Sequence, residues 1–120
     1  MTRPVRVVLT GEAADEYEKL ARAAKEEQSA GISNSHNQQL LNSIKRASEL
    51  LKQDPHNGTP IPKAIYVKAK IPVTNLWKVN LTGYWRMLYT IKGDEVEIIC
   101  YVLDICDHKR YDRIFGYRKR

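Results

Sequence analysis

Three runs of alternating or continuously apolar residues constrain this chain more than any other feature. They are Leu76–Leu81 (LWKVNL), Tyr84–Ile91 (YWRMLYTI) and Val96–Ile105 (VEIICYVLDI), and the break after each of the first two contains a glycine. The runs are rich in the β-branched and aromatic types that fit a pleated surface. Thr82-Gly83 and Lys92-Gly93-Asp94 are short enough for hairpin turns, so the stretch predicts a three-stranded antiparallel meander. Period-two geometry sorts its first two strands into faces. Trp77, Val79, Leu81, Trp85, Met87, Tyr89 and Ile91 point one way, towards a core, while Lys78, Asn80, Tyr84, Arg86 and Thr90 point the other. Burying Lys or Arg unpaired is expensive, so the second set is expected in solvent or in an open groove.

The elements before the meander supply what covers its apolar side. Val5–Leu9 (VRVVL) reads as a first strand, and Thr10 as the N-cap of a helix over about Glu12–Gln28, with Ala14, Tyr17, Leu20, Ala21 and Ala24 at helical spacing. Residues 29–34 break that pattern and offer a new cap at Ser33 or Asn34. A second stripe, Leu40, Leu41, Ile44, Ala47, Leu50 and Leu51, then ends at Asp54-Pro55, because a residue before proline is driven out of the α region. Residues 58–75, punctuated by Pro60, Pro62 and Pro72 and made basic by Lys63, Lys68 and Lys70, read as a connection in which Ala64–Lys70 is a candidate extra strand. After the third strand, Tyr111, Ile114 and Phe115 are spaced to anchor one helical turn. The expected fold is a single α+β domain over residues 1–120: N-terminal strand, helical hairpin, then antiparallel β-meander with the helices packed on one face.

Charge is unevenly placed. The net charge is +6, and residues 108–120 alone hold six basic side chains (Lys109, Arg110, Arg113, Arg118, Lys119, Arg120) against one acid, Asp112. A basic run of this kind favours a polyanion partner, either RNA or an acidic protein segment. No stretch of eighteen or more apolar residues and no signal-like N-terminus is present, so no membrane is expected and the cytoplasm is the expected compartment. Cys100 and Cys106, six residues apart on one strand and so roughly 20 Å apart in extended chain, are too distant to pair and read as reduced structural residues. His36, His56 and His108 are dispersed without metal-ligand spacing, and no phosphate-cradling glycine loop or nucleophile elbow occurs, so no metal or cofactor is expected.

What remains is a metal-free set: Lys78, Arg86, His108, Lys109, Arg110 and Tyr111. It suits RNA cleavage by the strand's own 2′-hydroxyl, which needs a base, cations to hold the phosphorane's extra charge, and an acid for the leaving 5′ oxygen. Arg86 on a strand can clamp phosphate oxygens bidentately. Lys78 can act as base if neighbouring cations depress its pKa, and Tyr84, Tyr111 or Trp85 can stack bases if exposed. The roles of His108, Lys109, Arg110 and Tyr111 as acid or phosphate ligand are not separable at this level.

These residues resemble the RelE/ParE superfamily of toxins from bacterial and archaeal toxin-antitoxin systems, most closely its RelE-like branch. The likeness rests on SIKRASELLKQDPHNG, on NLWKVNLTGYWRMLYTI and on the closing DHKRYDRIF. It implies a ribosome-dependent, metal-independent endoribonuclease that cuts mRNA, stops translation and is neutralised by a cognate antitoxin. It places catalytic positions on Lys78, Arg86, Lys109 or Arg110, and Tyr111, with Asn80, Tyr84, His108 and Arg113 as RNA-binding residues. The chain departs from the family pattern where Asn80 stands for a second lysine, where Trp85 expands the glycine-tyrosine-arginine motif, and in the spacing of its ending. ParE-like relatives act on DNA gyrase and cut nothing, and a relative retaining only antitoxin binding is a third alternative. Lys78 and Arg86 on the open face favour the nuclease.

Overall fold

In a computed structural model, which describes residues 3–116, the strands of the meander are β3 (Trp77–Asn80), β4 (Arg86–Gly93) and β5 (Ile98–Cys106). They are preceded by β1 (Val5–Leu9), α1 (Gly11–Ser29), α2 (His36–Gln53), β2 (Thr59–Pro60) and α3 (Lys63–Lys68), and followed by α4 (His108–Phe115). The sheet order is β1-β5-β4-β3-β2. The antiparallel meander is therefore present, and β1 joins it parallel to β5, from Val5 opposite Ile98 to Leu9 opposite Val102. The helical hairpin carries the chain from β1 across the sheet to β2 at the opposite edge, and the meander then returns it to β5, which makes the long connection a parallel pair requires.

The inward set is as the alternation predicts. Trp77, Val79, Leu81, Trp85, Met87, Tyr89 and Ile91 meet Ala13 and Leu20 of α1 and Leu40, Ile44, Ala47 and Leu51 of α2. Cys100, Val102 and Ile105 add the contribution of β5. Tyr89 also pins the loop after α2: its hydroxyl donates to the Pro55 carbonyl at 2.7 Å and accepts from the Gly58 N–H at 3.1 Å.

The opposite face is only partly open, against expectation. Leu88 and Thr90 are each 2% exposed. Leu88 and Cys106 join Ile61, Leu76, Tyr66 of α3 and Tyr111 and Phe115 of α4 in a second apolar cluster. The reason lies in Leu88: an apolar side chain between Arg86 and Thr90 needs cover, and α3 and α4 provide it. The segment offered as an extra strand is the helix α3, which buries Tyr66 and lets its hydroxyl donate to the Thr74 carbonyl at 3.0 Å. A short apolar run fits strand and helix alike until packing decides.

The caps also differ from the sequence reading. The Thr10 hydroxyl donates to the Val102 carbonyl instead of capping α1. Ser35, not Ser33 or Asn34, caps α2 by accepting from the Gln38 N–H at 3.2 Å. Asn34 is needed in the reversal itself, where it takes the left-handed conformation at φ 57°. Both cysteines are free and buried, as expected. No helix among the described residues is long and apolar enough to cross a membrane.

Candidate nucleic-acid interface

The half-buried end of the second face, beside α4, carries the cations of β3 and β4. Asn80 stands opposite Arg86 and Lys78 opposite Leu88, so Lys78 and Arg86 are diagonal neighbours on one face, within reach of each other for long side chains. Both point at Tyr111 of α4. Lys78 Nζ lies 5.5 Å and Arg86 Cζ 5.1 Å from the Tyr111 ring centroid. Each such contact contributes about 0.5–2 kcal/mol, depending on desolvation, which offsets the repulsion of two like charges held close. Among the described residues no carboxylate pairs with either cation. Arg86 Nη1 donates to the Tyr84 carbonyl at 2.8 Å, while its Nε is buried with no hydrogen-bond partner.

The first turn of α4 flanks this pair. Asp107 caps the helix by accepting from the Arg110 N–H at 2.8 Å, and His108 and Lys109 follow, both exposed. A lysine at this position opposes the helix dipole at a cost of about 0.3–1 kcal/mol, so stability does not explain it. His108 meets Tyr84 edge to face, with ring centroids 6.0 Å apart.

Tyr84 is 75% exposed and sits in the turn that replaces the expected two-residue hairpin loop. Thr82–Tyr84 form a single 3-10 turn in which Gly83 (φ 64°) and Tyr84 (φ 63°) are both left-handed. For a tyrosine this costs about 1–2 kcal/mol. The turn absorbs the added Trp85: Leu81 N–H donates to the Trp85 carbonyl at 2.8 Å, Trp85 turns to the core, and Arg86 stays on the face of Lys78. It is fastened from α2, where Ser43 Oγ accepts from the Thr82 N–H at 3.1 Å and the His36 ring lies against Gly83. Sequence reasoning missed Ser43 and His36, because nothing local marks a helix residue that holds a turn 39 positions away.

Arg110 and Arg113 are not brought to this site. Arg110 reaches around the end of the sheet, where Nη2 donates to Asp104 Oδ2 at 3.0 Å and to Glu12 of α1. Burial pushes the Asp104 carboxyl above the usual aspartate range, with the charge of Glu16 adding to it, and the Arg110 guanidinium is the partner that makes its charged form tenable there. Arg113 lines a shallow groove on that flank with Glu16, Trp85 and Asp107. Arg118, Lys119 and Arg120, counted above in the basic tail, lie outside the described residues. No group of three or more His, Cys, Asp and Glu among the described residues is placed to hold a metal ion.

No protein-family model and no curated protein matches this sequence. Solved structures do match the fold. The YoeB/ParE toxin from Agrobacterium tumefaciens aligns with a TM-score of 0.56 at 20% identity, over 86% of this chain and 98% of that one. An E. coli toxin RelE, a double arginine-to-alanine mutant in the free state, aligns with a TM-score of 0.52 at 12% identity, over 95% of this chain and 93% of that one. The architecture is that of the RelE/ParE toxins, as the motif resemblance implies.

Proposed function

We propose that this chain, folded as the RelE/ParE toxins are, is the toxin of a toxin-antitoxin pair and an endoribonuclease that cuts mRNA on the ribosome without a metal. The observation that carries the reading is the Lys78–Arg86 pair, two cations directed at the Tyr111 ring and unmatched by any carboxylate among the described residues. A phosphate there supplies the missing counter-charge. In the reaction the 2′ oxygen attacks phosphorus and the bond to the 5′ oxygen breaks. The 2′ proton passes to a base and the leaving oxygen takes a proton from an acid, giving a cyclic phosphate and a free 5′-hydroxyl. Arg86 and Lys78 hold the charge that builds on the phosphorane oxygens. His108, exposed at the start of α4, borders the pair with Lys109, while Asn80 and the outer face of α4 extend the contact to the strand. Arg110 and Arg113 fall outside the reacting centre in this reading.

Expression of the chain is expected to halt translation and leave mRNAs cut in register with the reading frame, with relief by Arg86→Ala. Intact mRNA together with loss of DNA supercoiling activity assigns the chain instead to the gyrase inhibitors. A chain that does neither but binds the product of an adjacent gene is an antitoxin-binding relative.

A further inference from the structure

Arg86 is held by two contacts of different kinds. The cation–π contact with Tyr111 sets how far the guanidinium stands from that ring, 5.1 Å from Cζ to the centroid, but leaves its fork of N–H groups free to rotate. The hydrogen bond from Nη1 to the Tyr84 carbonyl, at 2.8 Å, is directional and fixes that rotation. A bidentate grip on phosphate depends on where the fork points, so the Tyr84 carbonyl aims the arginine. The direction of a carbonyl follows from the backbone angles of its own residue, and Tyr84 holds the left-handed conformation that tyrosine seldom takes, at φ 63°. Relaxation of Tyr84 to an extended conformation would swing its carbonyl away from Arg86. Two ties from α2 oppose it. The Thr82 N–H donates to Ser43 Oγ at 3.1 Å, and the His36 ring packs so close to Gly83 that a Cβ there would lie 2.7 Å from it.

We infer that Ser43 is a positioning residue for Arg86: by anchoring the Thr82–Tyr84 turn to α2 it keeps the Tyr84 carbonyl, and through it the guanidinium fork, aimed beside Lys78. Ser43 acts through the backbone of the turn and not through contact with RNA. Its effect on rate rests on the proposed nuclease reading, whereas the order it imposes on the Arg86 side chain is measurable without any substrate. The role also accounts for a serine in the middle of α2, where alanine is the better helix former.

The test measures cleavage of mRNA on programmed ribosomes, with kcat and KM separated, alongside the order parameter of the Arg86 Nε–H group from nitrogen-15 relaxation of the free protein. Ser43→Ala is expected to lower kcat about ten-fold at nearly unchanged KM, within the loss that a small misplacement of a reacting group brings. The Arg86 order parameter is expected to fall with it. Ser43→Cys, of like shape but with a weak acceptor, should match Ser43→Ala, and Ser43→Thr, which keeps the oxygen, should recover both readouts. In an Arg86→Ala background Ser43→Ala is expected to cost nothing further, because its effect passes through the arginine. Ser48→Ala, on the same helix but lining a groove beside β1, is expected to leave both readouts at parent values. Thermal melting of Ser43→Ala is expected close to the parent's, since alanine's helix propensity offsets the lost hydrogen bond. An unchanged order parameter, or rate losses in Ser43→Ala and Arg86→Ala that multiply, overturns the positioning role while leaving Arg86 in the site. A parent that cuts nothing overturns the nuclease reading, and the order parameter then decides the positioning role by itself.

Discussion

Lys78 and Arg86 come from neighbouring strands and direct their charges at one ring, that of Tyr111, at 5.5 and 5.1 Å from its centroid. In the proposed reaction the two cations act as a unit. Arg86→Ala is expected to lower mRNA cleavage in a reconstituted translation reaction by on the order of 10²- to 10³-fold, the usual loss for one stabiliser of transition-state charge. Lys78→Ala should behave similarly, and the double variant should lose much less than the product of the two. Multiplicative losses, measured as single-turnover rates, contradict a shared phosphate site.

Arg110 is expected to matter for stability before chemistry. Arg110→Ala removes the partner of a carboxylate that burial already disfavours, on Asp104, and releases the tie from α4 to Glu12. A loss of about 1–3 kcal/mol in urea unfolding is expected, and Asp104→Asn in the same chain should recover part of it. Unchanged unfolding accompanied by lost cleavage returns Arg110 to the catalytic set.

Alkaline pH should unfold the chain through its buried thiols. Burial pushes Cys100 up to about 11 and Cys106 up to about 12, and the Tyr89 phenol up to about 12. Unfolded thiols ionise near 8.5, so above that value the unfolded chain sheds protons the folded chain keeps. The stability these groups supply is whole below about pH 8 and is lost as pH rises through the folded values, at about 1.4 kcal/mol per pH unit for each group. Urea unfolding from pH 8 to pH 11 should therefore show a shallower decline in Cys100→Ala/Cys106→Ala than in the parent. Parallel declines refute the assignment.

Gly58→Ala should destabilise through crowding alone. A Cβ there meets the Lys78 carbonyl and the Tyr89 hydroxyl, each at 2.7 Å. Since Tyr89 is buried and the Lys78 carbonyl belongs to the backbone of β3, neither yields easily, and a loss of about 1–3 kcal/mol of unfolding free energy is expected. A variant as stable as the parent disproves the close approach.

Sequence alone determined the elements whose direction is set locally. Alternation placed Trp77, Val79, Met87 and Tyr89 inward and Lys78 with Arg86 outward, helical spacing marked α1, α2 and the Tyr111–Phe115 anchor, and the family motif implied the fold later matched in solved toxins. Tertiary structure decided how far the outward face opens, because α3 and α4 fold back over Leu88 and leave Lys78 and Arg86 half-buried beside Tyr111. It also separated Lys109 from its neighbour Arg110, which leaves the site for Asp104 and Glu12. Periodicity reports the direction of a side chain relative to its own backbone. Which distant surface meets that side chain depends on contacts between residues as far apart as Glu12 and Arg110, and on that separation a local pattern carries no information.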